Sequence, residues 1–439
     1  MVVALGASAG GLEAIDTFLR NVPPDSGVAF VVIQHLDPTH AGALPELLRR
    51  ATRMPVAQVE NGMRVEANHV YVIPPNKELS VVRGNLRIAE PGPLRGLRLP
   101  IDVFLRSLAE ERGARGVAVI LSGMGTDGTL GLKAVKEAGG LVLVQEPSTA
   151  QFDSMPRSAV ATRLVDAVAP AQDLPGRLLT ALGLPRKRAR TGPATEPGPA
   201  NELDRILLVL RARLGRDFSQ YKRSTIERRV ARRMALQQLS KPEDYLRYLQ
   251  ANPQEQELLF HELLIGVTSF FRDPPAWEAL RTAAIPALLA ERPQGGQLRA
   301  WVPGCSTGEE AYSLAIVFRE ATEKVRARVG YSLQIFATDL DPHAIAQARQ
   351  GVYPANINSD VSPARLRRFF VKENDHAFRV SKEIRDSVVL AQQDVTRDPP
   401  FTRMDLVVCR NLLIYLEPGL QRRMLTLFQY SLRPGGILF

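Results

Sequence analysis

Short β-branched and aliphatic runs alternate along most of this chain with stretches in which apolar positions recur at helical spacing. In the first part the pattern predicts strands at Met1 to Leu5, Val28 to Gln34, Val70 to Ile73, Val117 to Leu121 and Leu141 to Val144, with a helix over Leu12 to Leu19. A purely helical stretch runs from about Asn201 to Leu289. Strands follow at Leu298 to Val302, Leu333 to Ala337, Val388 to Ala391 and Leu406 to Cys409, with a helix over Ala311 to Phe318. Strands alternating with helices imply two α/β units with mainly parallel sheets. Between them PRKRARTGPATEPGPAN, rich in Pro, Gly and Arg and nearly empty of large apolar residues, suits an exposed linker. No internal repeat of solenoid period is present.

At 439 residues the chain is long enough for two or three domains, and 45% hydrophobic with 6% aromatic residues is the composition of an ordinary soluble globular protein. Cys305 and Cys409 are too few and too far apart for a disulfide framework or a zinc site, so no metal is expected and a reducing, cytoplasmic setting fits. The N-terminus lacks a basic segment ahead of its short apolar run, and no run approaches the roughly 18 to 20 apolar residues of a membrane span, which argues against secretion and membrane insertion. A formal charge of +10 favours acidic partners without choosing among nucleic acid, anionic membrane and Glu-rich protein.

Two turns carry candidate chemistry. The first, Gly6-Ala7-Ser8-Ala9-Gly10-Gly11, joins a strand to a helix and puts Ser8 at a strand's carboxyl end, where open α/β sheets hold ligands. Gly6-x-Ser8-x-Gly10 fits a nucleophile elbow, and the following amides, Ala9 first, open a helix N-terminus able to stabilise an oxyanion. A phosphate-binding loop or close helix–sheet packing would use the same residues. A nucleophile needs a base, and among His35, His40 and His69 only His35 follows a strand; His69 precedes one and His40 lies in a loop. Asp127 comes beyond the strand at Val117 to Leu121 and completes a Ser-His-Asp set at one sheet edge.

The second turn, Gly304-Cys-Ser-Thr-Gly308-Glu309-Glu310, also links a strand to a helix. Its carboxylates would repel a pyrophosphate and favour a cationic ligand, such as the sulfonium and ammonium groups of S-adenosylmethionine. The next strand ends in Thr338-Asp339-Leu340-Asp341, where an acid would bind ribose hydroxyls, Asp339 being the first choice and Asp341 the second.

The segments GASAGGLEAI, QHLDP and LSGMGTDG resemble the signatures of the chemotaxis protein-glutamate methylesterase family, CheB-type, over about residues 1 to 183. That resemblance places the family's triad on Ser8, His35 and Asp127 and the backbone amide of Met124 near the oxyanion. It implies hydrolysis of glutamate γ-methyl esters, with deamidation of particular glutamines. LLIGVTSFFRD, WVPGCSTGEEAYSLAI, IFATDLD, PPFTRMDLVVCRNLLIYL and LRPGG resemble the chemotaxis protein-glutamate O-methyltransferase family, CheR-type, over residues 201 to 439. Mapped by motif, that resemblance implies S-adenosylmethionine contacts at Thr268, Arg272, Glu309, Asp339, Asp394, Val395, Arg410 and Asn411. Methyl transfer would then rest mainly on alignment of a glutamate carboxylate with the methyl carbon.

The expected architecture is therefore α/β throughout. Residues 1–184 form an N-terminal doubly wound parallel-sheet esterase domain, 185–200 a linker, 201–290 a helical subdomain and 291–439 a Rossmann-like S-adenosylmethionine methyltransferase domain that stops where the family continues into further strands. Many family members have an asparagine where this chain has Gly266. With the first strand at the first residue, control by a preceding phosphoacceptor receiver is not expected.

The basic stretch Tyr221 to Met234 allows nucleic-acid binding, a solvated face or docking to acidic receptor helices; it lacks interleaved aromatics and a known reader module. Partners implied by the resemblance are methyl-accepting chemoreceptor-like proteins with acidic helices and histidine-kinase signalling components, with no nucleic acid expected. The function implied is a bifunctional enzyme that writes and erases one mark, the alternative being a signalling scaffold with one or both domains degenerate or inhibited. An RNA methyltransferase fused to an unrelated hydrolase is disfavoured, because the Asn/Asp-Pro-Pro-Tyr/Phe motif of many base-modifying enzymes is missing.

Overall fold

The computed structural model describes all residues except 35–42, 91–98, 184–200, 215–216, 265, 292–295, 325–329 and 375. The expected linker thus lies outside the described residues. Packing divides the chain into two compact units, one made of Met1–Asp217 and Glu227–Ile265, the other of Phe218–Ile226 and Gly266–Phe439.

The first unit is built on strands β1 (Val2–Ala7), β2 (Ala29–Gln34), β3 (Val56–Gln58) and β4 (Val70–Val72), a hairpin of β5 (Glu78–Val82) and β6 (Asn85–Ala89), and β7 (Gly116–Ile120), β8 (Leu141–Gln145) and β9 (Ala167–Ala169). Apart from the hairpin they form one wholly parallel sheet in the order β3-β4-β2-β1-β7-β8-β9. All six residues of β1 and all five of β7 and of β8 are buried, because helices cover both faces of a doubly wound sheet. Those helices are α1 (Gly11–Arg20), α2 (Ala43–Arg49), α3 (Pro100–Arg112), α4 (Thr129–Glu137), α5 (Ser154–Ala161) and α6 (Leu174–Ala181). The chain leaves β1 toward β2 on one side and resumes at β7 on the other, so the crevice where strand order reverses opens between the carboxyl ends of β1 and β7.

The helical stretch comprises α7 (Asn201–Leu214), α8 (Arg223–Leu236), α9 (Pro242–Ala251), α10 (Pro253–Leu264), α11 (Pro274–Ala279) and α12 (Ile285–Ala290). Within the first unit, Leu236 of α8 joins the apolar core of the parallel sheet. Beside it lies a cluster of buried charges. Lys136 of α4 sits 2.6 Å from both Asp166 and Glu262, Arg229 is 3.0 Å from Glu262, and Arg233 is 2.7 Å from Glu255. Burial pushes the Glu262 carboxyl up, but Lys136, Arg229 and Arg232 together pull it down to about 2. Two arginines of the basic stretch read as a nucleic-acid, solvated or docking face, Arg229 and Arg233, are therefore buried in ion pairs, whereas Arg223 and Arg228 remain exposed.

The second unit holds β10 (Gly296–Pro303), α13 (Glu309–Lys324), β11 (Tyr331–Asp339), α14 (Pro342–Gln350), β12 (Val352–Pro354), α15 (Pro363–Phe369), β13 (Phe370–Asn374), β14 (Ala377–Val380), α16 (Lys382–Asp386), β15 (Val388–Gln392), β16 (Met404–Val407), α17 (Pro418–Ser431) and β17 (Leu432–Leu438). A parallel sheet in the order β15-β11-β10-β16-β17 has its reversal between β10 and β16, while β12, β14 and β13 make a small antiparallel sheet. LRPGG, expected only as a motif, runs within β17, which pairs with β16 in the main sheet.

Candidate active sites

In the first unit Ser8 directly follows β1, and β1 and β7 lie side by side with Gly6 opposite Ile120. Asp127, seven residues past β7, is buried, and its carboxylate accepts backbone N–H bonds from Ile101 at 3.0 Å, Asp102 at 2.9 Å and Gly128 at 2.8 Å. Two of those donors are in the first turn of α3, whose amides favour an anion there. His35 and His40 lie outside the described residues; β2, described to its last residue Gln34, ends on the same edge as Ser8. His69 precedes β4 at the opposite edge, with Nδ1 2.9 Å from the Ala67 carbonyl, so it is out of play as a base.

The turn that carries Ser8 is tight. Gly10 has φ 67°, and a Cβ there would come within 2.5 Å of Gln151 Oε1 and 2.9 Å of Ser122 Oγ. Gly123 is pressed against the turn from the other side, 3.0 Å separating the position of its would-be Cβ from Ser8 Cβ. A cleft of about 580 Å³ opens over Ser8, Ala9 and Gly10, walled by Leu12, Leu47, Gln34, Arg50 and Gln151. Met124 stands exposed on the loop after β7.

In the second unit the loop after β10 takes left-handed backbone at Gly304 (φ 72°), Ser306 (φ 48°) and Gly308 (φ 94°), which brings backbone amides to its inner side. Asp339 ends β11, and its carboxylate accepts the Ser306 amide at 2.7 Å and the Asp341 amide at 2.9 Å. Burial pushes this carboxyl up to about 6, against the lowering effect of those amides. Asp341 instead caps α14, accepting the His343 amide at 2.8 Å, so of the two acids Asp339 is the one set into the loop. Glu309 is buried and accepts the Thr307 hydroxyl at 2.6 Å. Glu310, the second carboxylate of the turn, is pushed by burial up to about 7 despite the nearby Arg410 and Arg272. Two acids held partly protonated by desolvation are suited to a positively charged ligand, whose approach would ionise them.

The other expected contacts converge on the same edge. Arg410 donates to the Arg272 carbonyl at 2.6 Å and to Asp273 at 3.2 Å, so its guanidinium braces the segment that carries Arg272. Asp394 is buried and accepts both the amide and the hydroxyl of Thr396, with Val395 between them. Asn411 holds a left-handed φ of 56° just beyond β16. Thr268 is half-buried in the segment ahead of α11, and Ser306 Oγ donates to the neighbouring Gly266 carbonyl at 3.2 Å. A side chain at 266 would meet nothing nearer than Ser306 Oγ at 3.4 Å, so the position opens onto the loop. Tyr221, read from the sequence only as part of a basic stretch, lies near two of these acids: burial raises its hydroxyl well above the usual value, with Asp394 and Asp339 adding to the effect. Nothing in its sequence context announces this, since the approach is made by tertiary packing.

Residues 3–178 match the family model for CheB methylesterase, residues 201–264 that for the CheR methyltransferase all-alpha domain, and residues 266–439 that for the CheR methyltransferase SAM binding domain. An uncharacterized 104.1 kDa protein in the hypE 3′ region of Rhodobacter capsulatus is 40% identical over 417 residues, which cover 90% of this chain and 43% of that protein. Protein-glutamate methylesterase/protein-glutamine glutaminase 1 of Burkholderia pseudomallei is 34% identical over 185 residues, 41% of this chain and 50% of that protein. Chemotaxis protein methyltransferase 2 of Vibrio cholerae is 29% identical over 227 residues, 51% of this chain and 77% of that protein. The chain thus spans half or less of the length of the first two relatives. It carries a CheB methylesterase domain followed by a CheR methyltransferase composed of an all-alpha domain and an S-adenosylmethionine-binding domain.

Proposed function

We propose that this chain both removes and adds methyl esters on glutamate side chains of chemoreceptor-like proteins, acting in the cytoplasm alongside histidine-kinase signalling components. The observation that supports the esterase half most strongly is that Ser8 and Asp127 emerge from the carboxyl ends of adjacent parallel strands, over a cleft of about 580 Å³. Ser8 Oγ attacks the ester carbonyl while His35 takes its proton, and His35 then returns that proton to the departing methanol. Asp127 orients the imidazole and stabilises its charged form. The amides of Ala9 and Met124 receive the developing oxyanion. Water, activated by His35, then releases the glutamate from Ser8. The same steps acting on a glutamine amide would release ammonia, giving deamidation.

In the transferase half, S-adenosylmethionine supplies an activated methyl group when bound. Thr268, Arg272, Glu309, Asp339, Asp394, Val395, Arg410 and Asn411 would hold it, with Glu310 and Asp339 answering its positive charge. Arg410 contributes by fixing Arg272, whose carbonyl it holds. The substrate carboxylate needs orientation rather than a general base. No helix among the described residues is long and apolar enough to cross a membrane.

The two halves are tested separately in one preparation: methanol release from a methyl-esterified chemoreceptor, and transfer of labelled methyl from S-adenosylmethionine to the unmodified receptor. Ser8→Ala is expected to abolish the first and spare the second; Asp339→Ala is expected to do the reverse. A Ser8→Ala protein that still releases methanol would defeat the esterase assignment.

A further inference from the structure

Ser122 follows β7 by two residues, and its side chain is buried. Its carbonyl accepts the Ser8 amide at 3.0 Å, and its hydroxyl donates to the Ala9 carbonyl at 3.0 Å. These two bonds grip opposite ends of the Ser8–Ala9 dipeptide. Between those ends lie the Ser8 side chain and the Ala9 amide, the proposed nucleophile and an oxyanion donor. The same hydroxyl accepts the Phe152 amide at 3.0 Å, tying the turn to the loop ahead of α5. The backbone of Ser122 is fixed in turn: its amide donates to Gln145 Oε1 at 2.9 Å, and Gln145 Nε2 donates to the Thr149 carbonyl at 3.1 Å.

We propose that Ser122 is the positioning residue of the esterase, its hydroxyl setting the orientation of the Ser8–Ala9 peptide and hence of nucleophile and oxyanion donor together. The proposal rests on Ser8 being the nucleophile. Ser122 does not line the cleft over Ser8, so its effect falls on geometry and not on substrate contact. Without the hydroxyl, the Ala9 carbonyl loses its donor and the Phe152 amide its acceptor, and the turn keeps only the bonds at Ser8, its amide to the Ser122 carbonyl and its carbonyl from the Gly11 amide at 2.9 Å and Gln34 Nε2 at 3.5 Å. Small losses of alignment at a reacting centre are costly, a displacement of about 1 Å being worth up to about 100-fold in rate.

The test compares Ser122→Thr, Ser122→Cys and Ser122→Ala in the whole chain, with a tritium-methyl-esterified chemoreceptor fragment as substrate and a fluorophosphonate as a probe of Ser8 reactivity. Thr keeps the hydroxyl, Cys offers a weak donor and Ala none. The expected order of kcat is wild type, Thr, Cys, Ala, with Ala about 10- to 100-fold down, KM within about twofold of wild type, and fluorophosphonate labelling slowed in parallel. Should the Ala protein not fold, the difference between Thr and Cys carries the same test. Equal kcat across the folded variants, or a loss confined to KM, would overturn the proposal. Ser8→Ala, run beside them, separates the two levels: methanol release surviving in that protein would bring down the assignment of Ser8 itself, whereas its loss combined with unchanged Ser122 variants would bring down only the positioning role.

Discussion

Replacing Lys136 by Met removes the central cation of the buried cluster without opening a large void, because Met retains most of the side-chain volume. Lys136 is 2.6 Å from both Asp166 and Glu262, and its side chain is only 3% exposed. Removing one partner of a buried pair commonly costs about 3–5 kcal/mol, since the remaining charge stays out of water. Here the loss is softened: Glu262 keeps Arg229 at 3.0 Å, and Asp166 keeps the Val142 amide at 2.7 Å. A second route gives a similar size. Glu262 lies at about 2 against an ordinary 4.5, a difference worth on the order of 3 kcal/mol that its cations supply net of the opposing cost of burial. Since Lys136 leads Arg229 and Arg232 in that lowering, the variant should lose about 2–3 kcal/mol at pH 7. The pH dependence follows from the direction of the shift. A carboxyl depressed in the folded state stabilises it above its unfolded value, and that stabilisation is lost as pH falls toward the folded value. The gap between wild type and Lys136→Met should therefore be constant near neutrality and narrow as pH falls from about 5 toward about 2. Urea titrations read by hydrogen exchange in α4, α8 and α10 measure it where it arises. A gap under about 1 kcal/mol at pH 7, or one unchanged at pH 3, would refute the reasoning.

Three other substitutions probe the two sites. Asp127→Asn leaves an amide NH2 facing one of the three backbone donors that the carboxylate now satisfies; esterase activity should fall sharply and the first unit lose about 1–3 kcal/mol, read by denaturant midpoint. Gly123→Ala drives a methyl group into Met155 and to 3.0 Å from Ser8 Cβ, so methanol release should collapse while methyl transfer by the same preparation is retained. Glu310, raised to about 7, must ionise to meet a cationic ligand, so S-adenosylmethionine affinity should rise from about pH 6 to about pH 7.5 by calorimetry. In Glu310→Gln that rise should flatten.

What could be read in the sequence was set by local chemistry. The buried strands β1, β2, β7 and β8 are nearly continuous apolar runs and β10 and β11 carry apolar residues around Arg299 and Gln334, and each expected position lies within two residues of the observed one. Three-residue strands such as β3 and β9 carry too little pattern to stand out, and the β5–β6 hairpin alternates burial over only five residues. The glycine-rich turns announced Ser8 and the loop at Gly304 because their left-handed positions select glycine. Glu310 was legible as a turn carboxylate but not its raised pKa, and Tyr221's closeness to Asp394 and Asp339 escaped, since both come from burial and from neighbours distant in sequence. The arginines of α8 were the most misleading signal: a basic helix written for a surface also serves to bury Arg229 and Arg233 against acids some 20 to 30 residues away.

Methanol release from a methyl-esterified chemoreceptor, compared between this chain and Ser8→Ala, tests the central claim most directly. Release by the unaltered chain that vanishes in Ser8→Ala is the result predicted. A folded chain that releases no methanol from a competent receptor, or a Ser8→Ala protein as active as its parent, would contradict it.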